Sequence, residues 1–180
     1  LISKAPSYAE AERWLKAMEA TGVAPDVVSY NTLISKAASY EQAEQWFKAM
    51  ERAGVAPNVV SYSTLMAKAP SYAEAEGWLK AMEGAGVAPD VVSYTMLISK
   101  APSYAEAEQW LKAMEEAGVA PDVVSYTALI SKASSREQGW DVFQRMISDG
   151  VRPNERTYTA LRRKGITRED AEKVVRGGEG

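Results

Sequence analysis

Residues 27–58 read VVSYNTLISKAASYEQAEQWFKAMERAGVAPN, and this thirty-two-residue stretch recurs along the chain with small changes. Tyr30, Tyr62, Tyr94, Tyr126 and Tyr158 stand 32 residues apart, as do Pro25, Pro57, Pro89, Pro121 and Pro153. Trp14, Trp46, Trp78 and Trp110 keep the same step. A fixed period of this size marks supersecondary units that stack side by side, a solenoid rather than a globule. Such a surface is regular, so positions where the copies differ are the first candidates for function.

Within one copy, Tyr30, Leu33, Ile34 and Ala37 fall at i, i+3, i+4 and i+7, the single apolar stripe of a helix expected over 28–37. A second helix is expected over 39–53, with Ala43, Trp46, Phe47 and Met50 on one face. Ser39 followed by Gln42 is a capping-box pattern, repeated as Ser7/Glu10, Ser71/Glu74, Ser103/Glu106 and Ser135/Gln138. Pro6, Pro70 and Pro102 disfavour helix at the residue before them and close the first helix. Gly54 tolerates the left-handed conformation that ends the second helix, and Asn58 can cap the next first helix. One antiparallel pair cannot bury both stripes; several stacked pairs can. The expected fold is all-α, an α-solenoid of antiparallel helix-turn-helix repeats forming a superhelix, with no strand. The Trp stripe lies beside Leu15, Phe47, Leu79 and Leu111, so Trp46 and Trp78 are expected to be largely buried between helices. The glutamates of the second helices, such as Glu74, Glu76 and Glu83, are expected on a solvated outer face.

Composition narrows the chemistry. The 180 residues hold no Cys and no His, which removes disulfides, thiolate metal sites and the commonest general base. No metal, cofactor or small-molecule substrate is expected, and no enzymatic activity. Every apolar run is cut by Ser, Lys, Glu or Pro, so no membrane span is expected. The net charge of −3 argues against a basic surface over the whole molecule, but not against a basic stripe on one face. The chain opens at Leu1 within a copy and shows no targeting segment; it reads as a piece of a longer protein.

The V-[ST]-Y-[NST]-x-L-I start, the Ala and [LF]-x-x-M positions of the second helix, and the closing G-V-x-P-[DN] together resemble the pentatricopeptide repeat family. The likeness covers complete copies at 27–58, 59–90, 91–122 and 123–154, a truncated copy at 1–26, and a last half-copy with a C-terminal cap helix at 155–176, followed by a tail at 177–180. These are expected to form one solenoid domain. The family's usual repeat is longer by about three residues between the two helices, and the copies here resemble its short variant.

The resemblance implies a single-stranded RNA-binding module that reads one base per repeat through two side chains, the fifth residue and the last. On this chain the pairs are Asn31 with Asn58, Ser63 with Asp90, Thr95 with Asp122, and Thr127 with Asn154. Val28, Val60, Val92 and Val124 would wedge between bases. The resemblance also implies a mitochondrial or chloroplast location, and a monomer is expected. Ionised Asp only accepts hydrogen bonds and suits guanine or uracil, whose edges offer a ring N–H; Asn donates and accepts, and suits adenine or cytosine. A small hydroxyl at position five leaves room for a purine, whereas the longer Asn reaches a pyrimidine. With RNA running 5′ to 3′ along the chain, the expected core is 5′-[C/U]-G-G-A-3′.

Independently of the family, Val28, Asn31 and Ser35 share a helix face turned away from the core stripe. Spacing alone leaves the last residue of each copy equally suited to capping the next helix. Lys36, Lys68, Lys100 and Lys132 repeat near the end of the first helix, and phosphate contact and plain solvation are equally open for them. Lys36 sits about 140° from Asn31 on a helical wheel, so its stem must bend to reach the same groove. After residue 150, Arg152, Arg156, Arg162, Arg163, Lys164 and Arg168 concentrate positive charge, and Thr167 with Asp170 begins a short helix through Val175. A polar cap on the last copy accounts for this end, with RNA-backbone contact as the lesser reading. Two other functions stay open: a peptide-binding scaffold of the tetratricopeptide kind, and an engineered array without a ligand.

Overall fold

The computed structural model describes residues 4–177, and among them there are eleven helices and no strand. Residues 1–3 of the truncated first copy and the tail residues 178–180 lie outside this range. The chain divides into two compact units, Leu1–Pro89 and Asp90–Gly180. The first holds α1 (Tyr8–Ala20), α2 (Val27–Lys36), α3 (Tyr40–Arg52), α4 (Val59–Lys68) and α5 (Tyr72–Gly84). The second holds α6 (Val91–Lys100), α7 (Tyr104–Glu116), α8 (Val123–Lys132), α9 (Arg136–Ser148), α10 (Glu155–Arg163) and α11 (Arg168–Gly177).

The hairpins from α2/α3 to α8/α9 each pair a ten-residue helix with a thirteen-residue one, whereas the closing pair α10/α11 has nine and ten residues. In the first unit α2 packs on both α3 and α4, so the first helices stack in one layer and the second helices back them. In the second unit α8 contacts α6, α7, α9 and α10 in the same way. The stripes read from the sequence form the core: Tyr30, Leu33, Ile34, Ala43, Phe47 and Met50 are buried, as are Tyr126, Leu129, Ile130, Phe143 and Met146. This is the helical-hairpin repeat architecture expected from the 32-residue period.

The turns follow from local chemistry. Gly54 has φ +72°, which lets its N–H reach Glu51 O at 3.0 Å and sends the Val55 N–H back to Met50 O at 3.1 Å. These two bonds satisfy the last carbonyls of α3 and are the Schellman arrangement. At the other turn Ala37 leaves the helix with ψ 134°, and Ala69 before Pro70 does the same with ψ 128°. The extended residue therefore forms with or without proline.

Proline instead decides how the cap is completed. Ser39 Oγ accepts from Gln42 N at 3.3 Å, and Gln42 Oε1 accepts from the Ala38 N–H at 3.0 Å rather than from Ser39. Gln138 likewise takes the Ser134 N–H at 2.9 Å. Where proline stands at that place, as at Pro70 and Pro102, there is no N–H to take. Glutamate replaces glutamine there, and the hydroxyls of Ser71 and Ser103 donate to Glu74 and Glu106.

Trp46 and Trp78 pack against the core as the stripe implies, each with a minor part of its surface accessible. Each indole N–H reaches a phenol on the preceding second helix: Trp46 Nε1 donates to Tyr8 at 2.9 Å and Trp78 Nε1 to Tyr40 at 2.8 Å. Trp78 still packs edge-on against Phe47, with ring centroids 4.9 Å apart. The deepest places belong to Leu15, Phe47, Leu79 and Leu111. In α9 the corresponding place holds Val142, so the Tyr104 hydroxyl turns to Glu108 on its own helix at 3.2 Å. At the C-terminal end, α11 closes the stack by burying Ile166 and Ala171, and Arg168 lies 4.6 Å above the Tyr158 ring.

Candidate nucleic-acid interface

Each first helix begins at an Asp or Asn whose side chain caps it. Asp122 Oδ1 accepts from Val124 N at 2.9 Å and Ser125 N at 2.9 Å. Asn154 Oδ1 does the same for Arg156 N at 2.9 Å and Thr157 N at 3.1 Å. Asn58 Oδ1 serves Val60 N and Ser61 N at 3.1 and 3.2 Å. Asp90 Oδ1 takes Ser93 N at 2.9 Å, and Asp26 Oδ1 takes Ser29 N at 2.8 Å. The Ser29 hydroxyl and then its amide hold the Asp26 carboxyl below its ordinary range. The capping half of the expectation is thus met at every one of these residues.

Capping also orients the side chain. Once the oxygen of Asn154 is committed to the helix, its other end is Nδ2, a donor. For Asp122 the other end is Oδ2, an acceptor. Residues that look alike as caps therefore present opposite polarity outward.

A residue the spacing argument overlooked joins the pair. The third residue of each first helix is a hydroxyl, and Ser29, Ser61, Ser93, Ser125 and Thr157 are all buried. Ser61 Oγ donates to Asn31 Oδ1 at 2.6 Å, and Asn31 Nδ2 donates to Asn58 Oδ1 at 3.1 Å. In the second unit Thr95 Oγ1 lies 2.6 Å from Ser125 Oγ, which donates to Asp122 Oδ1 at 3.0 Å. Thr127 Oγ1 lies 2.8 Å from Thr157 Oγ1, which donates to Asn154 Oδ1 at 3.2 Å. In the second unit each relay runs from fifth residue to buried hydroxyl to capping oxygen, whereas in the first it runs from the Ser61 hydroxyl to Asn31 and on to the capping oxygen of Asn58. With Ser125 donating to Asp122, Thr95 must donate to Ser125, which leaves lone pairs of the Thr95 oxygen facing outward. Thr127 is left in the same state.

The arrangement can be stated as polarity. Thr95 and Asp122 present two acceptors. Thr127 presents an acceptor beside the Asn154 donor. Asn31 and Asn58 keep two donors, the second Nδ2 hydrogen of Asn31 and the amide of Asn58. In the second unit these groups open into two recesses. One, of about 300 Å³, is lined by Val92, Thr95, Ser99, Asp122 and Val124 among others. The other, of about 290 Å³, is lined by Val124, Thr127, Ser131, Asn154 and Arg156 among others. Each holds roughly ten times the 30 Å³ share of a liquid water. Val28, Val60, Val92 and Val124 are between 49% and 54% exposed, the largest apolar side chains to stand out of the first helices. Ser63 lies half-buried on α4, where its hydroxyl donates to Val59 O at 2.6 Å.

The lysine row has an intramolecular use. Lys68 Nζ donates to Ala37 O at 2.8 Å, and Lys132 Nζ to Ala101 O at 2.6 Å, in each case across to the preceding hairpin. Lys164 repeats the contact with Ser131 O at 3.0 Å and with Ala133 O. These carbonyls lie where Ala37, Ala101 and Ala133 turn out of their helices. A phosphate contact by Lys68 or Lys132 would cost that bond. Lys36 and Lys100 are half-buried at the same position of their helices.

No group of His, Cys, Asp or Glu able to hold a metal is found among the described residues, and no described helix is long and apolar enough to cross a membrane.

The pentatricopeptide repeat domain model matches residues 10–69, 78–136 and 111–163. Among solved structures, pentatricopeptide repeat protein PPR10 in complex with an 18-nt psaJ RNA element is 29% identical, with a TM-score of 0.72, over 93% of this chain and 27% of that one. PPR10 from maize is 31% identical, with a TM-score of 0.70, over 92% of this chain and 25% of that one. The chain thus spans about a quarter of the PPR10 chains it matches. The PPR domain of Arabidopsis thaliana protein-only RNase P 1, in complex with tRNA, shares the fold at a TM-score of 0.70 and 20% identity, over 88% of this chain and 90% of that domain. Comparison with curated proteins gave no match.

Proposed function

Since the chain belongs to the pentatricopeptide repeat family, whose model matches most of its length, we propose that it is a sequence-specific single-stranded RNA-binding module that reads one base per repeat. The PPR10 structures with RNA supply the ligand class. The observation that carries the finer reading is the polarity set by the capping bonds. At Thr95 and Asp122 two acceptors face the recess, which suits guanine: its Watson–Crick edge offers adjacent N1–H and N2–H donors, whereas uracil offers one. At Thr127 and Asn154 an acceptor beside a donor suits adenine, with its N6–H and N1. At Asn31 and Asn58 two donors suit the adjacent O2 and N3 acceptors of cytosine ahead of uracil.

The proposed core is 5′-[C/U]-G-G-A-3′, with the chain running along RNA from 5′ to 3′. Its second letter rests on the residue types Ser63 and Asp90 alone. Val92 and Val124 would cover the two faces of a base in the recess between them. The reading makes the chain a binding module rather than an enzyme.

The test is a competition titration of wild type and Thr95→Asn against the four variants of the third base. Wild type should rank G first, and Thr95→Asn should move the preference towards U, because Asp122 keeps its acceptor while the longer side chain narrows the recess. An identical ranking in both proteins would remove the base-reading assignment. Salt-insensitive binding of a peptide at the same face would replace it with a scaffold.

A further inference from the structure

The last recess differs from the one before it in a way that capping the stack does not explain. Its outer wall is α10, where Arg156 occupies the place of Val28, Val60, Val92 and Val124. Arg163 occupies the place of Ser35, Ala67, Ser99 and Ser131. Both arginines are exposed, and neither has an ion-pair or side-chain hydrogen-bond partner among the described residues. Arg162, by contrast, replaces Ile130, which is fully buried where another hairpin follows; a polar residue there is what an end cap requires. Arg168 is likewise spent on the cap, paired with Glu155 at 3.0 Å and Glu172 at 2.8 Å.

Arg156 and Arg163 have no such explanation. The valine in the place of Arg156 is about half exposed in every copy even though a further hairpin follows each, and the Ser35, Ala67, Ser99 and Ser131 places are exposed as well. Nothing is uncovered there by the end of the stack. Arg156 therefore lines the recess itself, and Arg163 is exposed further along α10. They sit seven residues apart, about 10 Å along the helix axis, on the same side. The chain as a whole is net negative, so this local charge is opposite to its surroundings.

The geometry points to a phosphodiester-binding site on α10, in which Arg156 and Arg163 hold the backbone of single-stranded RNA on the 3′ side of the base in the Thr127/Asn154 recess. It rests on the RNA reading above. A guanidinium presents a planar fork of donors that fits phosphate oxygens two at a time, and its plane can also lie against a base. Arg156 thus keeps the covering role of valine and adds charge, while Arg163 lies further along the same face to meet the next phosphate. On the preceding first helix these places hold only Val124 and Ser131, so the chain would grip the backbone at its last base.

The experiment uses the whole chain and short RNAs carrying the proposed core, ending either in a 3′-hydroxyl after the last A or in a 3′-phosphate followed by two abasic units. Binding is measured from 50 to 200 mM salt for wild type and for Arg156→Val/Arg163→Ser, which restores the residues of the other copies. Each phosphate contact on a single strand contributes about 0.7 to the slope of log K against log salt. Two lost contacts lower the slope by about 1.4, so wild-type affinity for the extended RNA falls about sevenfold more over this range than that of the variant. The extension should tighten binding to wild type only, and the base ranking should be the same in both. If base ranking persists but slope and extension effect match between the two proteins, the site is refuted and the base reading stands. If wild type shows no base ranking and no salt-dependent RNA binding, the proposed function falls and this site with it.

Discussion

Asp122→Asn separates the two jobs of one side chain. Asp122 Oδ1 holds Val124 N and Ser125 N, both at 2.9 Å. An asparagine oxygen does this equally well, since Asn154 Oδ1 holds Arg156 N and Thr157 N at 2.9 and 3.1 Å in the next hairpin. Asp and Asn are near-equal as N-caps, and the loss is the charge at the helix N-terminus, about 0.3–1 kcal/mol. At about 2–4 °C per kcal/mol for a chain of this size, melting should fall by no more than about 4 °C. The outward atom changes completely, from the Oδ2 acceptor to an Nδ2 donor. A guanine bound there would lose a charge-assisted bond, about 1.5–3 kcal/mol, or roughly ten- to a hundredfold in affinity. Adenine would gain a donor for its N1. Thermal melts and anisotropy competition over the four third-base variants check both halves. A variant that melts within 4 °C of wild type and still ranks G first would show that the carboxylate is a cap and nothing more.

Trp78→Ala should destabilise the first unit by about 2–3 kcal/mol, below the usual range for core aromatics because the indole is half-buried; chemical unfolding measures it, and unchanged stability with lost RNA binding would make the indole a ligand platform instead. Lys132→Met should cost about 1 kcal/mol through the lost bond to Ala101 O, with the salt slope of RNA binding unchanged. Burial, then the Glu108 carboxylate, pushes the Tyr104 hydroxyl up to about 12. The folded state then keeps its proton where the unfolded chain has lost it, so stability should fall as pH rises from about 10 towards 12. Unfolding midpoints between pH 9 and 12 check this, and Tyr104→Phe should flatten the decline.

The helices were legible because their signals are local. The Tyr30/Leu33/Ile34/Ala37 stripe, the serine caps and Gly54 each act within a few residues, and the helix ends fell within a residue or two of the reading. Val27 rather than Val28 begins α2, since Asp26 takes the capping place before it. What escaped acts across hairpins. The Ala37 carbonyl that holds Lys68 lies 31 residues upstream, and no spacing rule connects a lysine to the turn of the preceding hairpin. Ser61 looked like one more polar residue beside Tyr62; only stacking against Asn31, 30 residues away, buries it and makes it a relay. Its signal was present all the same. A hydroxyl kept at 29, 61, 93, 125 and 157, three residues after an Asp or Asn and between bulkier neighbours, is the N3 partner of a cap. The size of the tryptophans pointed rightly to the core, but the phenol that each indole N–H reaches lies 38 residues upstream, beyond any local signal.

The relay also bounds what such a surface can be made to distinguish. The last residue of a copy must keep an oxygen on the amides of the next helix, and of the common N-caps only Asp and Asn have a second polar atom left to present. The outward choice there is therefore binary: an acceptor from Asp122, or a donor from Asn58 or Asn154. The fifth residue must meet a buried hydroxyl that is costly to leave without a partner, which favours Asn, Ser or Thr, the types found at 31, 63, 95 and 127. Ser and Thr leave an acceptor facing out, whereas Asn31 leaves a donor and fills more of the space. Two outward polarities at each of two places give four combinations, matched to four Watson–Crick edges. On the proposed reading the alphabet of recognition follows from the bonds that stack one hairpin on the next. A substitution that changes the letter without breaking the stack must then stay within Asp/Asn at the last residue and within Asn/Ser/Thr at the fifth.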